Sequence, residues 1–469
     1  MPNPYTAESA AKPAYCAVVA LVLGVGLVAT TLIIALLSQR FFYDVDFSRA
    51  PILAFTSLFV GAGLIYLPMA WLIPRLPASR YALAAMLLIG LLMRALLFDS
   101  YPVLEIDYYR YLWDGAVLAN GFNPYALPPA QVPGSELEAL ALQAGPVFER
   151  INYRELSSIY PPLAQLLFAL AHWLEPWQAD GLRYLYLLAD GIALVLILSI
   201  LKRLKLSPLW SCIYWWNPLL IILTYNGLHM DLLLLPLLML ALQSMIAQRP
   251  ILACSALTLA AGIKLWPLLL LPFALRGLLT RRRQLAFAVG SVVAIASFAI
   301  LPMLLFASAE HSGLAAFSQH WQRNSALFSQ IVGLLSLFGD AAEMHARLLV
   351  ALILLLLPCY LLRREPVDAS QLIRGITITI AALFLLSPVQ LPWYCLWFLP
   401  LLCFYPHPAL LLLCALMPIY FVRFYFDFRA ETALFDDGIV WLQYLPPLAL
   451  LLLRPRNQQA AAPPLSQHV

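Results

Sequence analysis

Residues 14–38 read AYCAVVALVLGVGLVATTLIIALLS and carry no charged side chain. A helix of about 20 such residues crosses the hydrocarbon core of a bilayer, where the backbone must satisfy its own hydrogen bonds. Only Lys12 adds positive charge to the polar segment before it, and the run is longer than the apolar part of a cleavable signal. The stretch therefore predicts a spanning helix that remains in the protein.

Apolar runs of this kind recur through the 469 residues, of which 63% are hydrophobic and 11% charged. Soluble domains carry about 25% charged residues, so lipid must solvate most of this chain. We predict an all-α polytopic membrane protein with about 11–13 transmembrane helices, one domain over residues 1–457 and a disordered cytoplasmic tail over 458–469. The remaining long runs are 51–74, 81–98, 183–201, 208–225, 229–247, 284–306, 345–362, 371–388, 392–405, 408–425 and 437–453, and shorter or broken ones are 161–174, 251–275 and 327–338.

The distribution of charge predicts the orientation in the membrane. Lys and Arg cluster in the segments that face the cytoplasm if the N-terminus does, provided that 161–174 and 251–275 enter the membrane and return. Loop 99–160 then lies outside, and it holds eight acidic and only three basic residues. We therefore expect the functional site of this multi-pass protein to lie on the exterior side, in this loop, which should contain interfacial helices. Basic runs interleaved with aromatic residues are missing from the sequence, which argues against a nucleic-acid partner.

The densest polar motif is LEIDYYRYLWDG at 104–115, followed by GFNPY at 121–125. A helix beginning near Asp107 would place Asp107, Arg110, Tyr111 and Asp114 on one face, a spacing that suits a substrate site but also a plain ion pair. Gly121 is a typical stop after such a helix. On another face, we expect three small or apolar residues to rest on the bilayer, namely Leu112, Ala116 and Ala119.

Five further motifs place polar groups beside apolar runs. They are YPPLAQ at 160–165, YNGLHMD at 225–231, GIKLWP at 262–267, HWQRNS at 320–325 and SPVQLPWY at 387–394. Lys264 is the most informative, because a lysine in an apolar stretch must find an anion or reach the surface. The same reasoning makes His229 and Asp231 candidates for binding a sugar or a cation or for pairing with each other. Alternatively, Asn226 or Asp231 caps the helix predicted over 229–247. Arg94 lies near the outer end of run 81–98, and snorkelling of its side chain to the outer surface explains a charge at this position.

The order of these motifs resembles the GT-C superfamily of polytopic glycosyltransferases, in particular bacterial mannosyltransferases that use polyprenyl-phosphate sugars. The resemblance spans roughly residues 80–400, and RYLWDG followed by NPY is its most specific part. It implies an enzyme of the bacterial inner membrane that transfers a hexose, most simply mannose, with inversion. The donor would be a polyprenyl-phosphate sugar presented from the outer leaflet of the membrane lipid. The acceptor would be a hydroxyl group of a glycan, a lipid or a protein.

The resemblance also implies roles for individual residues. Asp107 matches the general base of the family, and Glu105 or Asp114 matches a second acid. Lys264 and Arg323 are candidates to stabilise the departing phosphate. No cofactor is certain, but a divalent cation at Asp107, His229 and Asp231 stays open, because some members bind one. The other expected substrate-binding residues are Arg110, Tyr111, Asn123, Tyr125, Tyr160, Asn226, His229, Asp231, His320 and Trp393.

Three other functions compete with this interpretation. A secondary transporter would show internal repeats and midplane sites, whereas the sequence shows no repeat. A lipid-linked oligosaccharide polymerase or ligase would carry its large external loop late in the chain, not after the third helix. A membrane protein without catalysis would have little use for Lys264 and the acidic face at Asp107.

Overall fold

The computed structural model describes residues 13–46, 50–306, 311–363 and 368–452. The predicted tail at 458–469 lies outside the described residues. Within these ranges the chain is helical, and the only extended pairing is an isolated bridge between Arg323 and Val389. The prediction of an all-α polytopic membrane protein is confirmed.

Fifteen α-helices of eight or more residues occur in the described ranges. They are α1 Pro13–Ser38, α2 Ile52–Tyr66, α3 Arg80–Ala95, α4 Asp107–Ala119, α5 Pro162–Leu174, α6 Asp180–Arg203, α7 Leu235–Ile246, α8 Pro250–Ala261, α9 Arg282–Ala299, α10 Gly313–His320, α11 Ala326–Leu335, α12 Ala342–Leu361, α13 Ala369–Leu386, α14 Pro408–Leu416 and α15 Trp441–Leu452.

Shorter helical turns continue or connect these helices. They are Met69–Leu72, Ile73–Arg75, Pro129–Gln131, Glu138–Ala144, Pro146–Glu149, Pro208–Ser211, Cys212–Trp215, Pro218–Ile221, Ile222–Asn226, Met230–Leu234, Trp266–Leu270, Leu271–Leu275, Arg276–Leu278, Leu301–Phe306, Ser336–Phe338, Pro392–Trp397, Leu399–Cys403, Met417–Phe421, Val422–Asp427, Thr432–Leu434 and Phe435–Ile439.

Among the described residues, six helices are long and apolar enough to cross a membrane, or up to seven if a pair bent by 111° counts as one span. Other runs that the sequence predicts as spans are shorter or interrupted, often at proline, which removes a helical hydrogen bond. The bent pair joins Pro218–Asn226 to Met230–Ile246, where two straight helices were expected. The six continuous spans are Ala14–Ser38, Ile52–Arg75, Asp180–Arg203, Ala342–Leu361, Ala369–Leu386 and Pro408–Asp427.

Two short helices meet beside loop 99–160. Helix α5 has 13 residues and α8 has 12, so at about 1.5 Å per residue neither reaches across a bilayer core of roughly 30 Å. After α8 the chain turns at 262–265, and Leu271–Leu275 packs back on α8, as expected for a segment that enters and returns. The Gly262 carbonyl accepts a hydrogen bond from the Ala164 amide, which fixes the apex of this hairpin against the start of α5.

Helix α4 packs inside the protein and not on the bilayer, so the expected lipid-facing side is wrong. Leu112 and Ala116 are buried, and Ala119 is half-buried. The cause is α5, which lies so close to α4 that a Cβ at Gly115 would overlap the backbone of Phe168. Helix α4 ends at Ala119, and Gly121 adopts the left-handed conformation (φ 83°) that the sequence predicts for a helix stop.

Arg94 is fully buried and does not snorkel, contrary to expectation. Its Nε lies 2.6 Å from Asp190 Oδ2 on α6, and the same oxygen accepts a hydrogen bond from the Tyr225 hydroxyl. The Arg94 guanidinium also donates to the Trp215 carbonyl. This buried network ties α3 and α6 to the two sides of the 216–225 segment that leads into the bend.

Candidate active site

A cavity of about 300 Å³ opens where loop 99–160 meets the apex of the α8 hairpin. This volume lies at the lower end of the usual range for small-molecule sites. Six of the predicted site residues line it, namely Asp107, Arg110, Tyr111, Tyr160, Lys264 and Trp393. The remaining lining residues are Asn152, Tyr153, Leu156, Ser157, Ile159, Pro161, Ile263, Leu265, Trp266, Leu314, Phe317, Trp321, Leu383, Ser387, Leu391, Tyr394 and Trp397.

Asp107 is the first residue of α4, where the helix dipole stabilises a negative charge. Its carboxylate accepts a 2.7 Å hydrogen bond from the Asn152 amide group, and both residues line the cavity. The pair with Arg110 that the spacing also allowed does not form. Asp107 is therefore held by a neutral donor at one oxygen and remains half-buried at the cavity wall.

Arg110 pairs with Asp114 one turn further along α4, with 2.9 Å between Nε and Oδ1. A second guanidinium nitrogen donates to the Leu156 carbonyl. Asp114 is buried below the cavity and does not line it, and burial raises the pKa of its carboxyl although Arg110 acts in the opposite direction. Of the two candidate second acids, Asp114 thus serves to orient Arg110.

Glu105, the other candidate, lies behind the cavity beside His229. Glu105 Oε1 and His229 Nε2 are 3.2 Å apart, without the alignment of a hydrogen bond. The His229 ring stacks on Trp393, with 3.5 Å between ring centroids, and Trp393 faces the cavity. Burial, and then the charge of Asp107, raise the pKa of the Glu105 carboxyl well above its usual value.

Lys264 occupies the apex of the α8 hairpin. Its Nζ donates to Asp231 Oδ1 at 2.6 Å, and the Trp397 indole donates to the same oxygen at 2.6 Å. Nζ also lies 4.3 Å from the centroid of the Tyr394 ring. Asp231 therefore faces Lys264 and not His229, and it fixes the ammonium group at the cavity wall.

Besides Glu105, Asp114, His229 and Asp231, five further predicted residues lie outside the cavity lining: Asn123, Tyr125, Asn226, His320 and Arg323. Tyr125 supports the site from behind, because its hydroxyl donates to the Tyr160 carbonyl at 2.7 Å. The Asn123 side chain accepts from the Tyr125 amide and shapes the same turn.

The other three lie further away. Asn226 donates to the Ser100 hydroxyl and accepts from the Val103 amide, so it anchors the start of loop 99–160 instead of capping α7. His320 is exposed at the end of α10. Arg323 exchanges backbone hydrogen bonds with 388–390. Between them, Trp321 reaches the cavity.

The proposed metal ligands do not converge. Within the ranges that the structure describes, no three His, Cys, Asp or Glu residues group so as to hold a metal ion. Asp107 is engaged by Asn152 and Asp231 by Lys264, while His229 stacks on Trp393. The geometry gives these residues other roles.

Sequence reasoning missed several lining residues, above all Asn152, Tyr153 and Trp321. Asn152 lies 45 residues beyond Asp107, in a stretch without a recognisable pattern. Trp321 belongs to the HWQRNS motif, from which only His320 and Arg323 were predicted as site residues. Trp266 and Trp397 pair face to face on the opposite wall, with 5.1 Å between centroids.

Comparison with known families decides the class. Residues 13–280, more than half of the chain, match the family model described as alpha-(1->6)-mannopyranosyltransferase, N-terminal domain. The chain belongs to this family. As a member of the alpha-(1->6)-mannopyranosyltransferase family it is a GT-C-like membrane mannosyltransferase, as the sequence resemblance predicts. The family match also favours a transferase over the transporter and polymerase alternatives.

A curated relative extends the match beyond the family model. The alpha-(1->6)-mannopyranosyltransferase A of Mycobacterium tuberculosis (strain ATCC 25618 / H37Rv) is 24% identical over 386 residues, which cover 75% of this chain and 71% of the relative. No solved structure matches the chain. Nine of the lining residues, among them Trp321, Trp393 and Trp397, lie after the region of the family model, so the cavity needs the later part of the chain as well.

Proposed function

We propose that the protein transfers a mannosyl group from a polyprenyl-phosphate donor to an acceptor hydroxyl, with inversion at the anomeric carbon and Asp107 as the general base. The observation that carries the proposal is that a carboxylate, Asp107, and an ammonium, Lys264, line one cavity at the edge of the membrane-embedded helices. Inverting transfer needs a base at the nucleophile and a cation at the leaving phosphate.

In this mechanism Asp107 accepts the hydroxyl proton while the acceptor oxygen attacks the anomeric carbon. The bond between that carbon and the phosphate oxygen breaks, and its electron pair leaves with polyprenyl phosphate. Lys264, held by Asp231, stabilises the negative charge that develops on the phosphate. Arg110, oriented by Asp114, provides a second cation in the cavity and takes the role that the sequence suggested for Arg323.

The donor is a membrane lipid, and the short helices suit its access. Apolar residues from the α8 hairpin and α13 line the cavity on one side, including Ile263, Leu265 and Leu383. We propose that the polyprenyl chain approaches along this side and that the cavity faces the exterior of the bacterial inner membrane. Residues 1–457 then act as one catalytic domain, with loop 99–160 supplying the base.

The test uses the purified protein in lipid nanodiscs, polyprenyl-phosphate [14C]mannose and a panel of glycan, lipid and peptide acceptors. Asp107→Asn should reduce transfer by about 10²–10⁴-fold, the usual contribution of a general base. Asp99→Asn is the matched control, because Asp99 is exposed in the same loop and lies outside the cavity. Undiminished transfer by Asp107→Asn would refute the base, and a requirement for a nucleotide sugar would refute the donor.

A further inference from the structure

Two aromatic rings form the part of the cavity wall next to the proposed base. The rings of Tyr153 and Trp321 lie with centroids 4.6 Å apart at an angle of 47°, and both line the cavity. They come from distant segments, the end of loop 99–160 and the turn after α10. Tyr153 remains 42% exposed and Trp321 is half-buried, so both rings offer free surface. We call them the aromatic platform.

Hydrogen bonds hold the platform from both sides. The amide and hydroxyl of Ser157 both donate to the His311 carbonyl, at 2.8 and 3.0 Å, and so join the two segments. The Trp321 carbonyl accepts from Arg347 on α12, and that guanidinium is paired with Glu343. The backbone segments that carry the two rings are therefore held in place without a ligand, which reduces the entropy lost on binding.

Tyr153 adopts a left-handed backbone conformation with φ of 46°. This conformation is uncommon for a bulky residue, and it persists only where the surrounding structure imposes it. As a result, the consecutive side chains of Asn152 and Tyr153 contact different partners. Asn152 donates to Asp107, while Tyr153 packs against Trp321.

We propose that Tyr153 and Trp321 are the acceptor subsite, a platform on which the acceptor's pyranose ring stacks with one hydroxyl directed to Asp107. The apolar C–H face of a pyranose packs well on aromatic rings, and its hydroxyl groups need polar neighbours. Asn152 and Ser157 supply such neighbours on the same wall. The inference rests on the proposed function in one respect, that Asp107 is the base.

The donor lipid fits this wall less well. The platform belongs to the external segments and borders polar side chains, whereas a polyprenyl chain needs continuous apolar surface. That surface lies with Ile263, Leu265 and Leu383. The cation expected to hold the donor phosphate, Lys264, is fixed by Asp231 and the 392–397 helix, away from the contacts that fix the platform. Donor and acceptor are thus assigned to separate walls.

The experiment measures transfer in nanodiscs with polyprenyl-phosphate mannose as donor and α-1,6-mannobiose as acceptor probe. Trp321→Ala and Tyr153→Asn should each raise the KM for mannobiose at least about tenfold, while kcat and the donor KM change by less than about twofold. Asparagine tolerates the left-handed conformation, so Tyr153→Asn removes the ring without adding backbone strain. The ring-retaining variants Trp321→Tyr and Tyr153→Phe should recover most of the affinity. Trp173→Ala, an exposed tryptophan of α5 outside the cavity, is the control.

A rise in the donor KM with an unchanged acceptor KM would overturn the proposal. A binding experiment without donor, in which saturation-transfer NMR monitors mannobiose, tests the platform separately from the proposed function. If the wild type transfers no mannose but binds mannobiose and the two ring-removing variants do not, the platform stands and the donor assignment fails. If all variants bind mannobiose equally, or the wild type does not bind it, the platform is refuted.

Discussion

The Asn152 side chain donates a 2.7 Å hydrogen bond to one carboxylate oxygen of Asp107. Because that oxygen is occupied, the other one is left to receive a proton, and the carboxylate plane is fixed. Asn152→Ala should lower kcat by about 10–100-fold through misorientation of the base, with the donor KM nearly unchanged. Steady-state kinetics check this. Asn120→Ala is the control, because Asn120 is exposed at the end of α4, the helix that begins at Asp107. A purely structural Asn152 would instead lower folded yield without altering kcat per folded molecule.

Lys264 shares Asp231 Oδ1 with the Trp397 indole. We expect Lys264→Met to reduce kcat by about 10²–10³-fold, because the leaving phosphate loses its cation. Lys264→Arg should recover little, since a planar guanidinium cannot replace a compact ammonium in this contact. Single-turnover transfer from polyprenyl-phosphate mannose measures the effect, and a wild-type rate for Lys264→Met would remove Lys264 from the mechanism.

Burial, and then the charge of Asp107, raise the pKa of the Glu105 carboxyl in the folded protein well above its usual value. In the unfolded chain the group titrates near its ordinary pKa of about 4.3. The folded state therefore binds one more proton between the two pKa values, and stability decreases as the pH rises through that window. Thermal unfolding from pH 5 to 8 should show this decrease, and Glu105→Gln should flatten it. An equal slope in the variant would assign the pH dependence to another group.

The buried pair of Arg94 and Asp190 contacts the segment that leads into the bent pair of helices at 218–246. Arg94→Met leaves the Asp190 carboxylate without its cation and should cost about 3–5 kcal/mol of folding free energy. The double variant Arg94→Met/Asp190→Leu should regain much of this loss, because it removes the uncompensated charge. Unfolding in mixed micelles gives the comparison, and additive losses in the double variant would show that the two residues act independently.

Gly115 allows α4 to lie directly on α5. Gly115→Ala should destabilise the protein by about 1–3 kcal/mol and reduce transfer, because a methyl group would displace the backbone of Phe168 in the middle of α5. Gly191→Ala on α6 is the control, since a Cβ there meets open space. Equal melting temperatures for the two variants would contradict the close packing of α4 on α5.

Much of this architecture is legible in the sequence, since apolar length is a direct physical requirement of a bilayer. The helix that begins at Asp107, its stop at Gly121 and the short, returning segments around Lys264 follow from local rules. The lipid-facing side assigned to α4 was wrong because residue periodicity identifies an apolar face but not what covers it. Protein covers it here, through the contact at Gly115.

The site was partly predictable for a related reason. Asp107, Arg110 and Lys264 stand out as charges beside apolar runs, and all three reach the cavity. Asn152, Tyr153 and Trp321 do not stand out, because their positions depend on contacts between distant segments. The bond from Ser157 to His311 spans 154 residues, and no local pattern encodes it.

The distance along the chain between the cavity residues also has a consequence during synthesis. Asp107 and Asn152 are synthesised early, yet the cavity is completed only by Trp321 and the 392–397 helix. In a nascent chain that still lacks these residues, Asp107 is present but the cavity has not formed. Transfer activity should therefore begin only after the last third of the protein has entered the membrane, so a partly made chain cannot consume the lipid-linked sugar.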